Sequence, residues 1–189
     1  MALILASTSP HRRTLLQRLG LPFTCVAPQV DEQLLTGELP GHRALRLARA
    51  KAIAVARLHP GAIVIGSDQV ASTNQAGILR KPGDRETCRR QLLAMSGTAA
   101  RFDTGVAVAR DAALIAHLET TVVHFRNLQL SEIDSYMDRE PSFDCAGGFK
   151  CEGLGVSLFE AIESRDPTAL IGLPLIHVCA ALREIGLKV

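Results

Sequence analysis

The chain carries almost no net charge: 21 Lys and Arg against 19 Asp and Glu leave +2 over 189 residues. So close a balance offers no electrostatic footprint for nucleic acid, and any anion site has to be local. The cysteines (Cys25, Cys88, Cys145, Cys151 and Cys179) are odd in number, scattered, and form no CxxC pair. Neither a disulfide framework nor a zinc site is indicated, and a reducing compartment, the cytoplasm, fits. The apolar stretch after Met1 is short and has no basic residue before it, unlike a secretory signal. The longest apolar region, Thr168 to Leu182, is broken by Pro174 and His177 and falls short of the roughly 20 residues of a membrane span. A soluble protein with no membrane partner is expected. No GxxxxGK(S/T) phosphate loop and no GxGxxG turn after a strand is present, which removes support for ATPase and dehydrogenase readings. No GxSxG elbow occurs, and His11, His42, His59, His117, His124 and His177 form no HExxH or other close metal pair. Isolated histidines of this kind read as surface or core residues, with His11 kept aside for its place beside two arginines.

With 47% hydrophobic residues, the chain can bury one sizeable core, read as a single domain over residues 1–189 with two lobes. Leu3 to Ala6 reads as a buried strand, and Ser9-Pro10 caps and opens a helix that carries Leu15, Leu16 and Leu19 inward and stops at Gly20. Phe23 to Val26 is the next strand. A helix from Pro40 places Leu45, Ala48, Ala52, Val55 and Ala56 on one face and ends at His59-Pro60-Gly61. Ala62 to Ile65, continuously apolar, is a strand covered on both faces that runs into Gly66-Ser67-Asp68-Gln69. Asp84 caps a helix to Met95. Phe102 to Ala109 and Leu114 to Phe125 are strands that could pair antiparallel. Ser131-Glu-Ile-Asp134 resembles a capping box, followed by a strand near Val156 to Ile162 and a last helix from Pro174 to Ile185. The sum is an α/β fold with a mixed central sheet and flanking helices, without internal repeats.

In open α/β sheets, ligands bind beyond the carboxyl ends of strands. Two segments meet that description. In Ala6-Ser-Thr-Ser-Pro-His-Arg-Arg13, cations in the first helical turn oppose the helix dipole, and an anion held between the backbone N–H groups and the guanidinium groups would explain them; the alternative is a plain Ser9 cap with solvated arginines. In Gly66-Ser67-Asp68-Gln69, a carboxylate at the end of a buried strand can bind a divalent cation, position water or accept its proton, or it can simply cap a turn. Lys51 and Lys81 could each add a point charge to a phosphate site, and Asp31 and Glu32 are neighbouring acids able to ligate magnesium or to sit in solvent.

Taken together and in order, Leu5-Ala-Ser-Thr-Ser-Pro-His-Arg-Arg13, Ala50-Lys51, Gly66-Ser-Asp-Gln69, Lys81-Pro82, Met95-Ser-Gly97, Asp144-Cys-Ala-Gly147 and Gly172-Leu-Pro-Leu175 resemble the Maf-like nucleoside triphosphate pyrophosphatases over nearly the whole chain. The resemblance implies a two-lobed fold with a cleft, similar to inosine triphosphatases, and often a homodimer. It also implies Asp68 as the catalytic acidic residue that accepts a proton, a divalent cation (Mg2+ or Mn2+), Ser7, Arg12, Lys51 and Lys81 around the phosphates, and Glu32 and Asp68 near the metal.

Within the family, Ser-Asp-Gln and Asp-Cys-Ala-Gly-x-Phe-Lys-x-Glu-Gly resemble the subgroup that acts on 7-methyl-GTP. The base would be held by Glu152, Gln69 and His11. A carboxylate at Glu152 matches the N1–H and N2 amino donors of guanine and would face the carbonyls of uracil or thymine lone pair to lone pair. His11 departs from the tryptophan common in that subgroup and the arginine common in the pyrimidine subgroup. The rival readings are a dTTP or UTP pyrophosphatase of the same family and a nucleotide-sensing regulator of cell division with little catalysis.

Overall fold

In the computed structural model, which describes residues 2–189, the apolar runs become strands of one mixed sheet. The order is β1 (Leu3–Leu5), α1 (Pro10–Gln17), β2 (Thr24–Cys25), α2 (Pro40–Ala56), β3 (Ile63–Thr73), β4 (Gly77–Leu79), α3 (Arg85–Met95), β5 (Ala99–Arg110), β6 (Ala113–Phe125), α4 (Leu130–Arg139), β7 (Phe159–Glu163) and α5 (Leu175–Glu184). The strands lie in the order β2-β1-β3-β5-β6-β7, with β4 paired to β3. β1 is parallel to both β2 and β3, while β4 is antiparallel to β3 and β7 antiparallel to β6. Among the described residues, no helix is long and apolar enough to cross a membrane.

The chain divides into two compact units, passing from one to the other within β3, β5 and β6. The first comprises the described residues up to Gln69 together with 103–120 and 165–189. Its strands alternate between two apolar layers, as a period of two requires. Leu3 and Leu5, Ile63 and Ile65, and Val106 and Val108 point to α1 and α5, meeting Leu15, Leu16, Val178 and Leu182. Ile4, Val64 and Ala107 point the other way, where Val55, Ala48 and Ala52 of α2 cover them. That second layer is built largely of alanine, so α2 lies close on the sheet.

The second unit comprises residues 70–102 and 121–164. Phe149 meets Phe102, Phe125 and Phe159 edge to face, with ring centroids 4.9–5.6 Å apart, the geometry aromatic rings prefer. Helices α3 and α4 are joined by Arg89, whose Nε and Nη2 donate to Asp134 Oδ1 at 2.8 and 2.6 Å.

Several boundaries differ from those expected. β3 does not stop at Ile65: its pairing with β1 ends there, at Leu5 opposite Ile65, but the strand continues to Thr73, where β4 pairs with it. Asp68 therefore sits in mid-strand, just beyond the parallel pairing, and not at a strand tip. The capping box of α4 is one step earlier than Ser131-x-x-Asp134. Glu132, at the third helical position, accepts the Gln129 N–H at 2.8 Å, so Gln129 is the cap and Ser131 lies inside the helix. Leu154–Leu158 forms a 3-10 turn, so β7 starts only at Phe159. On α2, Lys51 is buried on the inner face, whereas Leu45 is only partly covered.

The close approach of α2 depends on Gly66. A Cβ there would lie 2.4 Å from the Ala48 carbonyl oxygen and 2.6 Å from the Ala52 nitrogen, both backbone atoms that cannot swing aside. Gly66→Ala is expected to lower stability by about 1–3 kcal/mol, as overpacking does, read as a reduced urea midpoint with unchanged slope.

Candidate active site

The turn from β1 to α1 is held by two serines. Ser9 takes the helix N-cap position, its hydroxyl accepting the Arg12 N–H at 3.4 Å, with Pro10 at the first helical position. Ser7, almost fully buried, turns its Oγ to accept the Ser9 N–H at 3.1 Å. This cap sends Arg12 toward residues 169–172. Its Nε donates to the Gly172 carbonyl at 2.9 Å. Gly172 has φ 120°, a conformation that excludes most side chains, and its Cα faces the guanidinium, with Arg12 Nε 3.5 Å from where a Cβ would be.

The centre of the site is Lys51. Its side chain is 8% exposed, on the buried face of α2, and its Nζ lies 2.6 Å from Asp68 Oδ1 and 2.8 Å from Glu32 Oε1. One ammonium thus joins the mid-strand carboxylate of β3 to the acid of the loop before α2. That loop is fixed by the same helix: Arg43 donates to the Glu32 carbonyl at 2.6 Å, and Arg46 to the Gln33 carbonyl at 3.1 Å and to Glu38 Oε2 at 2.8 Å. Asp31, the other acid of the pair, is exposed and accepts the Gln33 N–H at 2.9 Å, closing a local turn.

Residues flanking Asp68 are pinned by backbone carbonyls. The fully buried Ser67 hydroxyl lies 2.8 Å from the Gly105 carbonyl and 2.9 Å from that of Gly172. Gln69 Nε2 lies 3.0 Å from Thr104 Oγ1 and from the carbonyls of Ala169 and Leu170. The amide nitrogen of Gln69, a residue expected to help hold the base, is thus engaged within the protein. Ser67, Thr104 and the Gly172 carbonyl were not foreseen as site groups. Ser67 and Gly172 lie inside quoted motifs, but nothing local in the sequence announces that they meet.

The charges act on one another. Desolvation lowers the pKa of the Arg12 guanidinium, while the negative charges of Asp68 and Glu32 raise it. The hydrogen bond from Lys51 holds the Glu32 carboxyl below the ordinary glutamate range, against the desolvation that would raise it. Arg12, Lys51, Glu32 and Asp68 form a balanced group of two cations and two carboxylates. Structure therefore brings Ser7, Arg12, Glu32, Lys51, Asp68 and Gln69 together in the first unit. His11, at the second position of α1, is partly buried there. Lys81 and Glu152 belong to the second unit, where both are exposed, Glu152 next to Cys151.

Residues 2–185 match the profile of the family described as Maf-like protein. The chain belongs to the Maf-like family. It is 54% identical over 184 residues to the 7-methyl-GTP pyrophosphatase of Xanthomonas oryzae pv. oryzae (strain MAFF 311018), covering 97% of this chain and 96% of that protein. It is 47% identical to the 7-methyl-GTP pyrophosphatase of Saccharophagus degradans over 96% of this chain and 93% of that one. Among solved structures, the Staphylococcus aureus Ham1 protein matches with a TM-score of 0.48 and 16% identity over 67% of this chain and 73% of its own.

The Lys51–Glu32 contact has a pH signature. Because the folded carboxyl titrates below the unfolded one, its stabilising contribution is complete above the unfolded glutamate pKa, roughly 4.3, and is lost as pH falls through the lower folded value. A carboxyl-carbon NMR titration is expected to place Glu32 below ordinary glutamate and to show it moving up in Lys51→Met.

Proposed function

We propose that this Maf-like protein hydrolyses 7-methyl-GTP to 7-methyl-GMP and diphosphate. The observation that carries the reading is the Lys51 ammonium joining Asp68 and Glu32 near the half-buried Arg12. The names of relatives about half identical over nearly the full length support the choice of substrate.

An ammonium has three N–H donors, and two of Lys51's face carboxylates, so the third is available to a phosphate oxygen. Arg12 spends Nε on Gly172 and keeps its terminal nitrogens for a second one. Lys51 engages one oxygen of each carboxylate; Asp68 Oδ2 and Glu32 Oε2 are hard oxygen donors of the kind magnesium or manganese takes, so the residues fit a divalent cation. When bound, such an ion neutralises the phosphates and polarises the α-phosphoryl group. Asp68, held in place by Lys51 and by its pinned neighbours Ser67 and Gln69, orients a water and accepts its proton as the water oxygen bonds to the α-phosphorus. The bond from that phosphorus to the bridging oxygen breaks, and diphosphate leaves with the electron pair.

Recognition of the base is assigned to Glu152, Gln69 and His11, with Lys81 assigned to the phosphates. These assignments rest on motif position and, for Glu152, on its two acceptor oxygens matching the guanine N1–H and N2 donors. The reading places the protein in the cytoplasm as a homodimer of one domain. The five free cysteines suit that reducing compartment.

Asp68→Asn is expected to keep the fold and lower kcat for 7-methyl-GTP by about 10²–10⁴, the usual worth of a general base. Release of diphosphate and monophosphate with magnesium measures it, and full activity of the variant removes Asp68 from the mechanism. Glu152→Gln is expected to narrow the preference for 7-methyl-GTP over UTP and dTTP; an unchanged ranking across the triphosphate panel assigns base selection elsewhere.

A further inference from the structure

The histidines that look isolated in the sequence are not all isolated in space. Residues two apart on a strand share a face, and β6 turns Ile115, His117 and Glu119 the same way. Ile115 packs into the core cluster that contains Val178 of α5, which shows that this face looks toward α5. His177, at the third position of α5, completes the group. His117 Nε2 lies 3.4 Å and His177 Nε2 3.2 Å from the same oxygen, Glu119 Oε2. The two imidazoles are stacked, with centroids 3.3 Å apart and an interplanar angle of 20°. All three donor atoms lie within 4.8 Å of one another.

We propose that His117, Glu119 and His177 form a binding site for a borderline divalent transition-metal ion of the zinc type, separate from the Asp68–Glu32 carboxylates and independent of the proposed reaction. In a tetrahedral zinc site with bonds of about 2.0–2.2 Å, the ligand atoms stand roughly 3.3–3.6 Å apart, close to the two Nε2–Oε2 distances here, and the stacked rings would rotate to bring both lone pairs onto one ion. The donor set of two imidazoles and one carboxylate selects zinc, copper or nickel over magnesium, which suits oxygen ligands alone.

Outer contacts are in place as well. The second oxygen of Glu119, Oε1, accepts the Arg165 N–H at 2.9 Å and so fixes the plane of the carboxylate. The Glu119 side chain is 5% exposed, against 41% for His117 and 26% for His177. The carboxylate is thus buried while both imidazoles are partly exposed. A bound ion would clamp β6 to the start of α5, next to Asp166, whose Oδ2 accepts the Ile176 N–H at 2.7 Å.

The test is a zinc titration of the full chain against a chromophoric zinc indicator, in excess magnesium to occupy the carboxylate site, with His117→Ala and His177→Ala beside the wild type. One zinc per chain is expected, with affinity at least about tenfold weaker in each variant, and a zinc-dependent rise in Tm that is larger in the wild type than in either variant. Equal affinity in all three proteins, or no zinc uptake by the wild type in magnesium, overturns the site. Should either variant unfold, ¹⁵N-histidine NMR of the wild type decides: Nε2 signals of two of the six histidines shift with one equivalent of zinc, and the absence of such a pair overturns the proposal. Neither readout measures hydrolysis, so failure of the proposed activity and failure of this site are seen separately.

Discussion

A lysine on the buried face of a helix is the constraint around which the first unit is arranged. An ammonium taken out of water without a partner costs several kcal/mol, and Lys51 is 8% exposed. The sequence answers with two carboxylates from different directions, Asp68 from the middle of β3 and Glu32 from the loop before α2. Small residues make this geometry reachable. Ala48 and Ala52 on α2 and Gly66 on β3 let helix and strand come together, so the Lys51 stem can lie between them and end at Asp68. A larger residue at Gly66 would push the helix out and separate the charges. Packing and electrostatics are here one feature, because the alanine layer that lacks bulk is also what admits the ion pair.

The segment 165–177 acts as a frame of acceptors for the same unit. Its carbonyls at Ala169, Leu170 and Gly172 face Gln69, Ser67 and Arg12. Asp166 and Thr168 in turn hold its ends: Asp166 Oδ1 accepts from the Thr168 N–H and hydroxyl at 3.0 and 2.6 Å, and Thr168 Oγ1 accepts the Leu175 N–H at 2.8 Å. Buried polar groups are tolerated because nearly all are satisfied, and a network satisfied throughout specifies one arrangement. This explains why the residues flanking Asp68 are so firmly tied. Their side chains fix the backbone on either side of Asp68.

The α/β order, the Ser9-Pro10 cap, the long α2 and the strand before Asp68 could be read from the sequence because each is a local signal: a period, a cap or a continuous apolar run. What could not be read depends on partners distant in the chain. The extension of β3 to Thr73 is set by β4, whose three residues carry no periodic pattern of their own. The cap of α4 at Gln129 was hidden because Ser131-x-x-Asp134 offers a second capping-box register beside Gln129-x-x-Glu132. Among the site residues, Arg12, Lys51 and Asp68 were legible as charged groups in apolar or helix-start settings. The commitment of the Gln69 amide to Thr104 and to carbonyls a hundred residues away was not, and neither was the meeting of His177 with His117 across α5 and β6.

Glu119 connects these two groups of contacts. One carboxylate oxygen faces the paired imidazoles, and the other accepts the N–H of Arg165, the first residue of the frame. For an ion at the histidines to switch the Asp68 region, the frame would need a second arrangement that binds the ion differently, since a ligand shifts an equilibrium only by its differential affinity. The polar contacts of the frame are closed, with Asp166 anchoring the first turn of α5 and the carbonyls of 169–172 engaged by Gln69, Ser67 and Arg12. The proposed zinc ion would therefore brace that segment, adding stability that grows with the logarithm of its concentration over its dissociation constant.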